Sequence, residues 1–489
     1  MFFLSSTSVL LGVIGFLFCL WFVRRPKNLP PGPWSLPIIG YRFKSGLIHE
    51  AFVDLARKYG PVFSVRRGPL LFVVLNDRES MKQALVKNPG SAPESGEFFS
   101  DRFIPGHLRW GIPDAEKNAS IVWSNGKPWD DQRKFSLPAL RSFGFGKKSL
   151  VPQINLESRY LADEIRALHG EPTDLSALLN KATANVISQL VFGRRYEYDD
   201  PEFIGALEAL ADAFGLVSET DPVIVFESLV HTPWYKPYRG CIFKLRDFVM
   251  SHLYNHQETF QKDNIRDFVD AFLAHDISKD YPMDTFWRIV LDFFAAGTET
   301  TAVVTSWAIL YLAVHPDVQK KVQDELDAVV GRGRQPDTSD RPNLPYCDAT
   351  LMEIMRIRPV LPVSLPHLTS ADVSIGPYTI PKGTIVIPNL WAVHHDPKEW
   401  CDPHLFNPDR FLSADGQTVV KNEAWMPFSI GRRDCLGMQL AKMESFLLFA
   451  NLFQQFDFKL PPDQPTPSMR GHTGLSMPPE SYQICAIER

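Results

Sequence analysis

Apolar and polar positions change their period several times along this chain. Residues 1–23, MFFLSSTSVLLGVIGFLFCLWFV, hold no charge. As a helix rising about 1.5 Å per residue they would span about 35 Å, enough for a bilayer core. Arg24, Arg25 and Lys27 follow this run, no basic residue precedes it, and no small-x-small cleavage site ends it. The pattern predicts a retained transmembrane anchor over 1–23 rather than a cleaved signal peptide, with the following chain in the cytosol. On that topology the sequon Asn118-Ala119-Ser120 is expected to stay unmodified.

Pro30-Pro31-Gly32-Pro33 is semi-rigid chain. It predicts a hinge over 24–33 that sets a body above the membrane, although a plain linker has the same composition. Residues 61–75, PVFSVRRGPLLFVVL, read as a β-hairpin turning at Arg67-Gly68-Pro69. From about Arg78 to about Ile357 apolar positions recur mostly at helical spacing, without repeats or low-complexity tracts. The longest predicted helix runs from Asp284 to Val314 and stops at His315-Pro316; another covers Pro345 to Ile357. Short strands such as GTIVIPNLW follow among prolines, then a tight turn at Cys435 and a last helix. The expected fold is mainly α with a minor β portion, continuous over 34–489.

Composition narrows the function classes. A net charge of −5 gives no global case for binding nucleic acid. Six scattered cysteines form no CxxC and no zinc-spaced Cys/His cluster, which favours a reducing compartment over a disulfide framework. Gly144 to Ser149, GFGKKS, lacks the first glycine and the closing Ser/Thr of a phosphate loop, and no GxGxxG follows a strand. A nucleotide site is not expected.

Several local patterns invite chemistry, each with a plainer explanation beside it. In the long helix, FFAAGTETT sets Phe293, Ala296, Gly297 and Thr300 on one face. A threonine there can bond back to the Ala296 carbonyl and loosen the turn, leaving a groove that holds Thr300 and Glu299; a notch for close helix packing reads equally well. Glu353 and Arg356 form an i, i+3 pair, and Trp129 and Arg133 stand one helical turn apart, both ordinary on helix surfaces. The stretch FSIGRRDCLGMQLAKME places Cys435 between Gly431 and Gly437, behind two arginines and ahead of a helix. A buried structural thiol is the bland alternative there.

Together and in order, these pieces resemble the cytochrome P450 family, the haem-thiolate monooxygenases. Phe428-x-x-Gly431-x-Arg433-x-Cys435-x-Gly437 matches the family's haem-binding loop at every defined position. Ala296-Gly297-Thr298-Glu299-Thr300-Thr301 matches its oxygen-binding helix, Glu353-x-x-Arg356 its next long helix, and Trp129-x-x-x-Arg133 a further element. Pro408, Arg410 and Phe411 match another, with Asp409 where many members carry Glu. SIVWSNGKPW and SLPHLTS resemble the microsomal branch that includes drug-metabolising and steroid-hydroxylating enzymes.

The resemblance implies haem b (iron protoporphyrin IX) as cofactor, with Cys435 as iron ligand, a thiolate that pushes electron density onto the metal. The coming helix N-terminus and basic neighbours would depress the thiol's pKa. Gly431 and Gly437 would let the backbone close on sulfur and porphyrin, and Phe428 would limit water at the sulfur. Trp129, Arg133, His367 and Arg433 would bind the propionates, with His367 an ordinary turn histidine as the alternative. Glu353, Arg356 and Arg410 would form a structural ion network, and Thr300 with Glu299 would deliver protons to bound dioxygen.

Electrons would come from the NADPH–P450 reductase, and from a small haem electron carrier as a second donor. Lys127, Lys134, Arg432 and Lys442 would make the docking face. An apolar pocket drawn from Phe98 to Trp123, Phe293, Ala296, Leu361 to Leu365, Leu475 and Ser476 would take a small lipophilic substrate such as a xenobiotic, fatty acid or steroid. The setting implied is the endoplasmic reticulum membrane, with lipid around the anchor. An isomerase or dehydratase of the same fold, needing no reductase, and a non-enzymatic haem sensor remain as alternatives.

Overall fold

In a computed structural model that describes all residues except 1–5, 24–27, 37–39, 44–45, 87–97, 110–119, 217–220 and 473, the uncharged start of the chain forms α1 (Ser6–Val23). Arg24, Arg25, Lys27 and the sequon residues Asn118 and Ala119 lie outside the described residues. Among the described residues no single helix is long and apolar enough to cross a membrane; Leu10–Leu20 is a shorter apolar helical run.

The body begins with α2 (Ile48–Tyr59), the hairpin of β1 (Val62–Arg67) and β2 (Leu70–Leu75), and α3 (Arg78–Leu85). After β3 (Asp101–Arg102) comes a mainly helical stretch: α4 (Gly106–Arg109), α5 (Gly126–Ser142), α6 (Val151–Ala167), α7 (Ser176–Phe192) and α8 (Pro201–Gly215). It continues through α9 (Lys236–Thr259), α10 (Phe268–Ala274), α11 (Ile277–Asp280), α12 (Met283–Val314), α13 (Pro316–Val329) and α14 (Pro345–Ile357). Four short strands follow, β4 (His367–Leu368), β5 (Val373–Ile375), β6 (Tyr378–Ile380) and β7 (Ile385–Pro388), then α15 (Leu390–His394). The chain closes with α16 (Met438–Gln455), β8 (Phe456–Lys459) and β9 (Cys485–Glu488).

The predicted hairpin and both long helices are present, and prolines set their limits. Pro316 and Pro345 stand in the first turns of α13 and α14, where a missing N–H costs nothing. Pro316 turns the chain by 111° out of α12. In GTIVIPNLW only Ile385–Pro388 is strand; Leu390 and Trp391 already belong to α15. The largest sheet runs β1-β2-β7-β4-β3, and β3 pairs antiparallel with β4 so that Arg102 faces His367.

Helix α12 runs through the main core, with Phe294, Trp307 and Leu310 fully buried. Helix α7 lies along it, and Thr183 Oγ1 donates to the Thr298 carbonyl at 2.8 Å. A Cβ at Gly297 would stand 2.9 Å from Ile187 Cγ1. The space beside that glycine is thus taken by α7, and close helix packing accounts for the residue.

The ion network assembles behind this core. Arg356 donates through Nε and Nη2 to Glu353 at 2.6 and 2.8 Å, both side chains wholly buried, and Arg410 Nε reaches Glu353 at 3.1 Å. Arg356 also holds the His394 and Pro403 carbonyls, at 2.6 and 2.8 Å, pinning the chain beyond α15 to α14. Asp409 contributes no side-chain bond to the network; its own N–H caps onto Asn407 Oδ1 at 3.0 Å.

The proline segment is docked rather than free. Ser64 in β1 donates its N–H to Pro31 O at 2.8 Å and its hydroxyl to Pro30 O at 2.7 Å. A Cβ on Gly32 would come within 1.8 Å of Ser64 O, so only glycine fits against the strand. Gly32→Ala is expected to destabilise the folded protein by about 1–3 kcal/mol, the range for overpacking a close contact. Thermal unfolding checks this, since a free linker would tolerate the substitution.

Candidate functional site

Residues 428–437 form a folded-back turn ahead of α16. The Cys435 N–H donates to Phe428 O at 3.0 Å, and Asp434 N–H to Gly431 O at 3.1 Å. Gly431 sits at φ +87°, and a Cβ there would meet Leu85 O at 2.2 Å. The demand for glycine comes from the end of α3, not from the sulfur. Gly437 differs: a Cβ on it would lie 3.8 Å from Cys435 Sγ, an ordinary contact, so no protein atom excludes one. The turn holds Cys435 so that its thiol opens into an internal cavity of about 510 Å³.

Among the protein's own groups the influences on the Cys435 thiol oppose one another. Burial pushes Cys435 up to about 11 and Asp434 adds to the rise, while the Gly437 N–H, Arg133 and Lys442 pull weakly the other way. Enclosure outweighs the helix terminus and the basic neighbours. A thiol in that setting keeps its proton until a metal cation displaces it, which suits a ligand better than a free nucleophile.

Positive charge gathers beside the turn. Arg433 is buried with its guanidinium 3.8 Å from the centre of the Trp129 ring. It donates to Ser100 O at 2.7 Å and Ser124 O at 2.6 Å, so backbone carbonyls orient it. Arg133, one turn after Trp129 on α5, lies 5.5 Å over the same ring and 3.5 Å from Asp434. Trp129, Arg133 and Arg433 are thus brought together on the cavity wall.

Arg102 joins them and was not foreseen from the sequence. It donates to Leu365 O at 2.7 Å and Arg433 O at 3.2 Å, while its Nε has no partner among the described residues. Burial lowers Arg102 to about 9; burial, with Arg102 beside it, lowers Arg433 to about 8. Two buried guanidiniums without a carboxylate partner among the described residues are costly unless an anion arrives. A group bearing carboxylates therefore fits. His367 stands behind this wall rather than on it: Nδ1 is 2.6 Å from Phe99 O, Nε2 has no partner among the described residues, and burial with Arg102 keeps the ring neutral. No motif spacing marked Arg102, because only the β3–β4 pairing brings it to His367 and Arg433.

Across the cavity, Phe293, Ala296, Gly297 and Thr300 of α12 share the lining face. Thr300 Oγ1 donates to Ala296 O at 2.7 Å, the back-bond that its position predicts. Glu299 faces away from the lining and is buried; Ser476 Oγ donates to it at 3.2 Å, and Ser476 does line the cavity. Burial raises the Glu299 carboxyl above its usual range. The rest of the wall is mostly apolar. It includes Val122, Leu361, Leu365 and Leu475 as expected, but Phe98 packs into a separate core. Leu210 and Phe214 of α8, Leu245 of α9 and Phe52 of α2 line it too. Nothing in their local spacing separates a lining residue from a core residue.

Asp292, also missed, ties α12 to the wall. Its carboxylate accepts from Ser120 Oγ at 2.6 Å and from the N–H groups of Ile121 and Val122 at 2.8 and 3.1 Å. Burial pushes it up to about 6 against these donors and the nearby Arg288. Its folded-state value exceeds the ordinary 3.8, so the unfolded chain loses this proton first as pH rises. The contribution is fully present below about pH 4 and is lost as pH climbs to about 6. The stability of the wild type relative to Asp292→Asn should fall across that window by roughly 3 kcal/mol at most. Thermal unfolding of both proteins through the same pH series measures it.

Comparison with known proteins agrees with this geometry. The family model of cytochrome P450 matches residues 30–486. Cytochrome P450 2J2 of Homo sapiens is 37% identical over 507 aligned residues, covering 98% of this chain and 96% of the relative. Cytochrome P450 2U1 of Bos taurus is 36% identical, covering 96% and 91%. Cytochrome P450 2D3 of Rattus norvegicus is 37% identical, covering 95% and 94%. With Cys435 on the wall of a mostly apolar cavity beside three arginines, and with similarity over nearly its full length, this chain belongs to the cytochrome P450 family, the haem b-dependent, haem-thiolate monooxygenases.

Proposed function

We propose that this protein is a membrane-anchored monooxygenase that uses electrons from NADPH, passed on by a reductase, to insert one oxygen atom into a small lipophilic substrate. The product would be a hydroxylated or epoxidised xenobiotic, fatty acid or steroid. The carrying observation is that Cys435 and Thr300 line one apolar cavity, the thiol on the α16 side and the hydroxyl on α12. Haem b, when bound, supplies the iron at which dioxygen is reduced. Cys435 would be its ligand, with Phe428 shielding the sulfur. Trp129, Arg133, Arg433 and Arg102 would hold its carboxylates, neutralising the charge left unbalanced in the cradle. His367, neutral and behind the wall, would support Arg102 rather than supply charge.

The remaining chemistry falls to the chain's own groups. The apolar lining keeps bulk water from the reacting C–H or C=C bond. Thr300 can turn its hydroxyl from the Ala296 carbonyl toward the cavity and hold a proton there. Glu299, with its raised carboxyl, would resupply that proton by way of Ser476. The bare apolar surface of α1, where Leu11 is 70% and Phe16 63% exposed, supports an anchor in the endoplasmic reticulum membrane. The proposed reductase face is thinner than its sequence suggests. Lys127 pairs with Asp131 and Arg432 with Asp130, while Lys442 is partly buried over the Trp425 and Phe428 rings. A small haem electron carrier would meet the same face.

Thr300→Ala tests the assignment. Bound haem should be retained, while product formed per NADPH with reductase present should fall about 10-fold or more, within the range for a positioned proton donor. Full, well-coupled activity in the variant would remove Thr300 from the mechanism. Product formation without reductase and NADPH would remove monooxygenation itself.

A further inference from the structure

The face of α12 that lines the cavity continues past Thr300. Thr300 and Val304 both lie on the wall, and Trp307 follows them at the next helical step, in the sequence i, i+4, i+7. Trp307 is wholly buried and takes no part in the chemistry above. A large indole fills a core well, and its buried N–H needs only some acceptor. The acceptor chosen here carries the information: Nε1 donates to the Met477 carbonyl at 2.8 Å. Met477 directly follows Leu475 and Ser476, the residues through which its loop reaches the cavity.

Other contacts hold the same loop. The Met477 N–H donates to Val360 O at 2.8 Å, so both polar groups of that peptide position are satisfied. His472 N–H donates to Pro478 O at 2.8 Å and closes the loop on itself. Gly471 sits at φ +82°, where a Cβ would stand 2.9 Å from Met477 Cγ and 3.1 Å from Trp307 Cζ2. Glycine thus lets the backbone lie against the edge of the indole. The ring is itself seated, with the Arg358 guanidinium 5.5 Å from its centre. One residue before Trp307, the Ser306 carbonyl accepts from the Tyr482 hydroxyl at 2.7 Å, so α12 holds this part of the chain at two successive residues. On the cavity side, Ser476 Oγ reaches Glu299 at 3.2 Å and Leu475 adds apolar surface.

We propose that Trp307 is a positioning residue for ligand selection: it seats the loop that bears Leu475 and Ser476, and so sets how far these two reach into the cavity. It touches no ligand itself. Its influence falls on the shape of the cavity and not on the Cys435 side, so a very small ligand should be blind to it and a larger one should not. The proposal rests on haem b in the cavity and is independent of the electron source and of the substrate classes named above.

Optical titrations of the haem-loaded, full-length protein with two iron-binding probes test this. Imidazole needs little room beyond the iron, whereas 4-phenylimidazole adds an apolar ring that the cavity must accommodate. Trp307→Phe keeps an aromatic ring and loses the donor. It should weaken 4-phenylimidazole roughly 5-fold, the size of one net hydrogen bond, and leave imidazole unchanged. Leu475→Ala should weaken 4-phenylimidazole in the otherwise wild-type protein, and that effect should largely vanish in the Trp307→Phe background, because both act through one loop. Gly471→Ala, which drives the loop off the indole without altering α12, should discriminate between the probes in the same way and covers a Trp307 variant that folds poorly. Equal losses for both probes overturn the proposal, as do Trp307→Phe and Leu475→Ala losses that simply add. So does a 4-phenylimidazole affinity that ignores any of the three substitutions. No turnover is measured, so such a failure would leave the monooxygenase reading standing, and a lack of reductase-dependent product would leave this test intact.

Discussion

Charge left unbalanced inside an apolar enclosure is the constraint on which this structure turns. The protein buries Arg102 and Arg433 against backbone carbonyls and an indole, with no carboxylate partner for either among the described residues. It also encloses the Cys435 thiol where burial alone would keep it protonated. Uncompensated buried charge of the two guanidiniums costs several kcal/mol per group. Together with the enclosed thiol they suit a group with a cationic centre and peripheral carboxylates, and haem b has that form.

The rest of the architecture keeps the two sides of this enclosure at a fixed distance. Helix α12 supplies the far wall and is itself held by α7 at Gly297 and Thr298, by Ser120 to Val122 at Asp292, and by Ser476 at Glu299. The near wall is the Cys435 turn, fixed by Phe428 O and packed on α3 through Gly431. Glu353, Arg356 and Arg410 tie α14 to the chain that leads into this turn. An ionic knot largely out of water is a weak source of stability, yet it fixes geometry strongly because breaking it strands a charge.

Some of this was legible in the sequence and some was not, for physical reasons. The hairpin, α12 and α14 follow from local periodicity and proline stops, which act over a few residues. The Cys435 turn, the Trp129–Arg133 pair and the Glu353–Arg356 pair were visible because their members lie within one motif each. Arg102 and Asp292 were not, because their significance depends on partners far along the chain: Arg433 for one, Ser120 to Val122 for the other. Glycine roles were the least legible. Gly297, Gly431 and Gly32 each answer to a distant element, namely Ile187, Leu85 and Ser64, so the sequence shows the permissive residue and not what crowds it.

The central claim is that Cys435 is the ligand for which the cavity is built. It is tested most directly by the reduced, carbon-monoxide difference spectrum of the purified protein, recorded beside Cys435→Ser. The account predicts the far-red-shifted Soret band of a thiolate-ligated ferrous haem in the wild type and its loss in the variant. A spectrum typical of histidine ligation, or a band that survives in Cys435→Ser, would contradict it.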